Sequence, residues 1–227
     1  MITTVIFDLD DTLYNELDYC KSGFNAVSEF LAELFPGSSA ENISVVIWEQ
    51  FTNGNHQTTF NAALEKLKIG YDQELIRQLV KIYRNHIPQI TLPEDSRSVL
   101  DELSACYSLA LLTDGFLPAQ KYKVKALGIS DYFKCIVYTE EFGREYWKPS
   151  PVGFEKILKD LRTTPQNAVY VADNPVKDFI APNKLGFSTI QLLRPARIHI
   201  KSPDQAEFEA KYTIDKINDL PSLLQQL

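Results

Sequence analysis

The stretch Thr3-Thr4-Val5-Ile6-Phe7-Asp8-Leu9-Asp10-Asp11-Thr12-Leu13 decides the fold. Its first five residues are β-branched or apolar without alternation, as in a strand buried on both faces of a sheet. Carboxylates follow at once. Working outward, comparable short runs recur at 107–112, 135–138, 168–172 and 188–192. Helix-like segments over 117–126, 151–161 and 175–185 separate the last four. Pro118 and Pro151 stand at first helical turns, and Gly128 and Gly186 stand just past the ends. Strand–helix alternation of this kind predicts an α/β fold with a doubly wound, Rossmann-like parallel sheet.

The interval after the first strand breaks the pattern. Residues 15–87 read as helical, divided into about four helices by Phe35-Pro36-Gly37, Asn53-Gly54-Asn55 and Gly70-Tyr71-Asp72. Leu64, Leu67, Leu75, Leu79 and Ile82 keep the three- and four-residue spacing of an amphipathic face. The expected organisation is an α/β core of residues 1–14 and 88–227, interrupted by a helical bundle at 15–87. A helix over 94–105 leads back to the sheet. Residues 194–211, with Arg194, Arg197, His199 and Lys201, are expected to form a surface excursion before a short terminal helix.

Composition excludes several classes. The chain has 227 residues and a formal charge of −7, with a sequence pI of about 5.1 and no run of Lys or Arg. A nucleic-acid backbone is therefore not an expected partner. The longest apolar run, Ala168 to Ala172, is far short of the about 20 residues that span a bilayer. No membrane partner is expected, and no signal peptide before the strand at Ile2. Cys20, Cys106 and Cys135 form no CxxC or Cys/His cluster, so free, mostly buried thiols in a reducing cytoplasm are expected. There is no GxG fingerprint, P-loop or GxSxG elbow. His56, His86 and His199 lack metal spacing.

Ligands of open parallel sheets bind beyond the carboxyl ends of the strands. Those ends carry Asp8, Asp10 and Thr12, then Thr113-Asp114-Gly115, then Lys148 in a loop, then Asp173 with Asp178 five residues on. Any one of these aspartates reads as a turn former or helix cap. Their occurrence at successive strand ends points to one site.

Four of these segments resemble the motifs of the haloacid dehalogenase-like hydrolase superfamily. Phe7-Asp8-Leu9-Asp10-Asp11-Thr12-Leu13 is similar to its first motif and Thr113-Asp114-Gly115 to its second. Lys148-Pro149-Ser150-Pro151 is similar to the third, and Asp173-Asn174-Pro175-Val176-Lys177-Asp178 to the fourth. Ala172 and Asp11 stand where that superfamily often has glycine. The helical insert resembles its cap domain.

The resemblance implies a Mg²⁺-dependent phosphomonoester hydrolase working through an aspartyl-phosphate. Asp8 would be the nucleophile, and Asp10 the acid for the leaving oxygen and then the base for water. Thr113, the backbone N–H groups of Asp114 and Gly115, and Lys148 would hold phosphoryl oxygens. Asp8, Asp173 and the backbone carbonyl of Asp10 would hold the metal, with Asp178 an outer ligand or a partner orienting Lys148. Four carboxylates against one lysine leave three uncompensated charges, and an all-oxygen ligand set selects a hard cation. The expected partner is a small phosphorylated substrate of the sugar-phosphate or nucleotide class.

A dehalogenase would need neither the metal nor an acid at position 10. A phosphomutase shares all four motifs, and a non-catalytic binding module would lose Asp8 or Asp10. Specificity is expected from the insert and from Tyr14, Asn15 and Glu16. A polar turn of Asn53, Asn55, His56 and Gln57 lies in the insert, and Arg144 and Trp147 lie close before Lys148.

Overall fold

The structure, a computed structural model, describes residues 1–198, 200 and 205–227. His199 and Lys201 lie outside the described residues. The chain divides into two compact units. One comprises Met1–Leu17 and Thr91–Leu227, the other Asp18–Ile90.

The first unit is built on strands β1 (Thr4–Phe7), β2 (Ser108–Thr113), β3 (Cys135–Tyr138), β4 (Ala168–Ala172), β5 (Ser188–Leu192) and β6 (Tyr212–Ile214). They form one sheet in the order β3-β2-β1-β4-β5-β6, every pairing parallel. The chain winds from β1 outward to β3 and then returns to the other side at β4. The strand order therefore reverses between β1 and β4, where such sheets open a ligand crevice. The ladder runs one residue past β1, through the Asp8 amide to the Val171 carbonyl at 2.9 Å. That bond fixes where the first carboxylate leaves the sheet.

Helices α1 (Glu16–Leu34), α2 (Ala40–Thr52), α3 (Thr59–Lys66) and α4 (Gln73–Asn85) come before β2, followed by α5 (Glu94–Cys106). Helices α6 (Ala119–Leu127), α7 (Val152–Leu161) and α8 (Ile180–Leu185) connect the later strands, and α9 (Leu220–Leu224) ends the chain. Pro118 and Pro151 are the residues before α6 and α7, and Gly128 and Gly186 close α6 and α8. The core on one sheet face gathers Ile6, Leu112, Val137, Phe154, Tyr170 and Phe187. Phe154 meets Tyr170 edge-on at 4.8 Å, the arrangement that the ring quadrupoles favour.

Four expectations need correction. The fourth motif does not enter a helix at 175: α8 starts at Ile180. Asn174 Oδ1 accepts from the Val176 amide and Asp178 Oδ2 from the Asn174 amide, which favours a turn over a helix. The sixth strand, Tyr212–Ile214, was not expected within or beside the excursion, because three residues are too few for a periodic signal. Arg194, expected on the surface, is buried and donates from Nε to the Thr12 carbonyl at 2.9 Å. Among the thiols only Cys20 is buried, whereas Cys135 is half-buried and Cys106 exposed.

The Asp18–Ile90 unit holds the remainder of α1 with α2, α3 and α4. Phe24 is its hub, with Phe51, Tyr83 and Phe60 at ring separations of 5.4, 5.5 and 6.1 Å. His86 is buried at the end of α4 and bonds the Tyr83 carbonyl through Nδ1 and the Ser22 hydroxyl through Nε2. In the polar turn, His56 is exposed with its ring edge-on to Phe51, and Asn55 Nδ2 donates to Gln50.

Candidate active site

Asp8 sits one residue beyond β1 and is buried. Its Oδ1 accepts from Lys148 Nζ at 2.6 Å. The same ammonium lies 2.7 Å from Asp178 Oδ1 and donates to the Tyr170 hydroxyl at 2.9 Å. Three donors thus meet three oxygens in a side chain only 1% exposed. Burial, opposed by Lys148, pushes the Asp8 carboxyl up to about 6. For Asp178, burial is outweighed by Lys148 and Lys177 together, and its carboxyl lies below the usual range.

Asp173 follows β4 directly. Carboxylate oxygens of Asp8, Asp173 and Asp178 lie within 4.8 Å of one another, all three residues buried. Among the described residues Asp173 Oδ2 has no hydrogen-bond partner. Burial, reinforced by Asp178 and Asp8, pushes its carboxyl up to about 9. An orphaned oxygen beside two other carboxylates is a poor arrangement for a folded protein by itself, and a good one for a hard cation that prefers oxygen. The residues fit such an ion.

The Asp10 carboxylate has partners of its own. Oδ1 accepts from the Tyr14 hydroxyl and from Lys123 Nζ, the latter at 2.8 Å, and Oδ2 accepts from Gln120 Nε2 at 2.9 Å. Burial alone would raise its carboxyl, but the Lys123 charge and these three donors hold it below the ordinary value.

Asp11 has φ +52, in the left-handed region. Aspartate tolerates it because its side chain bonds locally: Oδ1 accepts from the Glu16 amide at 2.8 Å and Oδ2 from the Ile198 amide at 2.7 Å. Glu16 has its carboxyl pushed up to about 7 by burial and by Asp10.

At the end of β2, Thr113 Oγ1 accepts from Gln120 Nε2 at 2.6 Å. The same hydroxyl donates to the Asp114 carbonyl over a long 3.5 Å. Gly115 has φ +140, and a Cβ there would lie 2.7 Å from Gln120 Cδ, so glycine is needed for both conformation and space. The Asp114 side chain faces inward, its Oδ1 accepting from Thr139 Oγ1 at 2.8 Å and from the Lys148 amide at 3.2 Å. It braces the two loops. Beside them the Arg144 guanidinium lies 4.0 Å from the centre of the Phe116 ring, and Trp147 meets that ring edge-on at 5.5 Å.

A family model described as haloacid dehalogenase-like hydrolase matches residues 5–192. The chain belongs to the haloacid dehalogenase-like hydrolases. Among relatives of this family, glyceraldehyde 3-phosphate phosphatase from Methanocaldococcus jannaschii is 27% identical, covering 100% of this chain and 99% of that one. Ribulose-1,5-bisphosphate 5-phosphatase from Halopiger xanaduensis is 28% identical, covering 99% and 100%. The crystal structure of 2-haloacid dehalogenase from Pseudomonas syringae superposes with a TM-score of 0.68 at 24% identity, covering 100% and 99%, a likeness of fold.

Motif reading brought Asp8, Lys148, Asp173 and Asp178 into one cluster, with Asp10 and Thr113 beside it. It missed Tyr14 as a partner of Asp10, Gln120, Lys123, Tyr170 and Lys177. Gln120 and Lys123 are three apart in the helix after the second motif, hence on one face, and that spacing was the available signal. With Lys123 and Lys177, three lysines stand against the four carboxylates that sequence set against one. Among the described helices none is long and apolar enough to cross a membrane.

Proposed function

We propose that this haloacid dehalogenase-like hydrolase is a Mg²⁺-dependent phosphomonoesterase acting on a small sugar phosphate through an aspartyl-phosphate. The observation that carries the reading is the buried triad Asp8, Asp173 and Asp178 with the unpartnered Asp173 Oδ2 beside Lys148. Asp8 attacks phosphorus, and the leaving oxygen takes a proton from Asp10. Asp10 then takes a proton from the water that cleaves the acyl phosphate. Thr113 holds a phosphoryl oxygen by turning its hydroxyl proton from the long 3.5 Å contact with the Asp114 carbonyl, while Lys148 keeps Asp8 oriented and balances its charge. Asp8, Asp173, Asp178 and the Asp10 carbonyl would hold the cation, which when bound neutralises phosphoryl charge.

The Asp18–Ile90 unit is the cap that selects the substrate. The relatives named for glyceraldehyde 3-phosphate and ribulose bisphosphate support the sugar-phosphate class, and the free thiols suit a reducing cytoplasm. A panel of sugar phosphates and nucleotides, assayed for inorganic phosphate with Mg²⁺, tests the reading. Release from at least one of them is expected. Isomerised ester without free phosphate would identify a mutase, and no reaction with any ester would refute the assignment.

Lys123 supports the base step, since its charge holds Asp10 as a carboxylate. In Lys123→Met that buried carboxylate loses its cation, and hydrolysis of the acyl phosphate should slow about tenfold or more. A phosphorylated species should then accumulate in acid-quenched protein during turnover. Unchanged turnover without added accumulation would remove Lys123 from that role.

A further inference from the structure

We infer that Gln120 is a positioning residue that sets the direction of the Thr113 hydroxyl and ties it to the Asp10 carboxylate, an inference that rests on the phosphatase reading. Gln120 is the second residue of α6 and is buried. Its Nε2 stands 2.9 Å from Asp10 Oδ2 and 2.6 Å from Thr113 Oγ1. Lys123 Nζ holds the other oxygen of Asp10 at 2.8 Å, so this carboxylate presents acceptors on both sides. The amide must therefore turn its nitrogen, and not its oxygen, toward Asp10. The second hydrogen of that nitrogen goes to Thr113, whose oxygen has to accept it. A hydroxyl that accepts from Gln120 sends its own proton elsewhere. That proton now meets the Asp114 carbonyl over 3.5 Å, a length at which little is lost in exchanging it for a phosphoryl oxygen.

The same side chain supports the loop that follows β2. A Cβ at Gly115 would lie 2.7 Å from Gln120 Cδ and 2.9 Å from its Cγ, so the Gly115 backbone rests against it. Other residue types fail at this position for separate reasons. Asparagine is one methylene short of both oxygens. Glutamate would accept where Asp10 needs a donor. Leucine or methionine would take one donor from Asp10 and one from Thr113 inside the protein. A neutral group with two donors on one atom joins the residue that exchanges protons to the residue that holds the phosphoryl group.

The test is a double-mutant cycle on the full chain in Mg²⁺, reading inorganic phosphate binding by calorimetry and turnover of p-nitrophenyl phosphate. Wild type, Gln120→Met, Thr113→Val and the double variant form the cycle. Gln120→Met should weaken phosphate about 5- to 10-fold and raise KM with it, and kcat should fall by a similar factor through Asp10. On the Thr113→Val background the same change should cost phosphate affinity less than about twofold, because the hydroxyl that Gln120 directs is gone. The loss in kcat through Asp10 should persist there. Gln120→Asn, which keeps the amide but not its reach, repeats the cycle should Gln120→Met fail to fold. A loss of packing alone would weaken phosphate equally on both backgrounds and overturn the proposal. So would Gln120→Met protein whose phosphate affinity and kcat stay within about twofold of wild type, or wild-type protein that binds no phosphate. Failure of the phosphatase reading is seen separately, as no ester hydrolysis by a wild-type protein in which Gln120 and Thr113 remain coupled in phosphate binding.

Discussion

Asp8→Asn is expected to reduce turnover by at least about 10⁴-fold, the loss seen when a covalent nucleophile is removed. The amide has the shape of the carboxylate, and its oxygen can still accept from Lys148, so the fold should survive. Lys148 also keeps Asp178 at 2.7 Å and Tyr170 at 2.9 Å, which limits the cost of losing one charge beneath it. Steady-state assays together with mass spectrometry of acid-quenched protein check this result. A phosphorylated species should be trapped from wild type and absent from the variant. A well-folded Asp8→Asn protein retaining more than about a hundredth of wild-type rate would exclude Asp8 as nucleophile.

Removal of Asp173 should have the next largest effect, and it acts through the cation. Outer partners of metal ligands are worth about 10- to 100-fold in affinity, so a direct ligand is worth at least the upper figure. Asp173→Ala should raise the Mg²⁺ needed for half-maximal activity by about 100-fold or more. Activity of the wild type should vanish on chelation and return with Mg²⁺.

A pH signature accompanies this. Without metal, the Asp173 carboxyl is raised from its ordinary 3.8 to about 9. The native state then keeps a proton that the unfolded chain has already lost. Stability from this group is complete below the unfolded value and disappears as pH rises through about 9. Asp8, raised to about 6, adds the same sign at the lower end. The melting temperature of chelated protein should accordingly fall between pH 6 and 9, and Mg²⁺, which takes the place of the proton, should recover it and bind more tightly as pH rises. Asp173→Ala should flatten the slope. A chelated wild type whose stability is level across that range, or one that hydrolyses esters at full rate, would contradict the assignment of Asp173 to the cation.

Much of the fold was legible because its signals are local. β1 and β4 are short apolar runs that end in carboxylates, and Gly128 and Gly186 mark helix ends by backbone conformation alone. Asp8, Thr113, Lys148 and Asp173 could be placed together because a parallel sheet brings successive strand ends to one edge whatever the side chains do. The residues not found share a different property. Gln120 and Lys123 sit in a helix whose other polar positions face solvent, and Lys123 is only 4% exposed because Asp10, over a hundred residues earlier, meets it. Tyr170 looked like a strand aromatic until Lys148 and Asp178 closed on its hydroxyl. Arg194 looked like surface until Thr12, Asp95 and Ser96 surrounded its guanidinium.

By itself the sequence determined the parallel sheet, the helical interruption and which carboxylates stand at strand ends, since these follow from periodicity and chain direction. Only the tertiary structure decided which lysine neutralises which aspartate, and that Asp173 is left with an oxygen unpartnered among the described residues. A charge's partner depends on distances between side chains far apart in the chain, and electrostatic energy in a buried cleft changes steeply over those few ångströms.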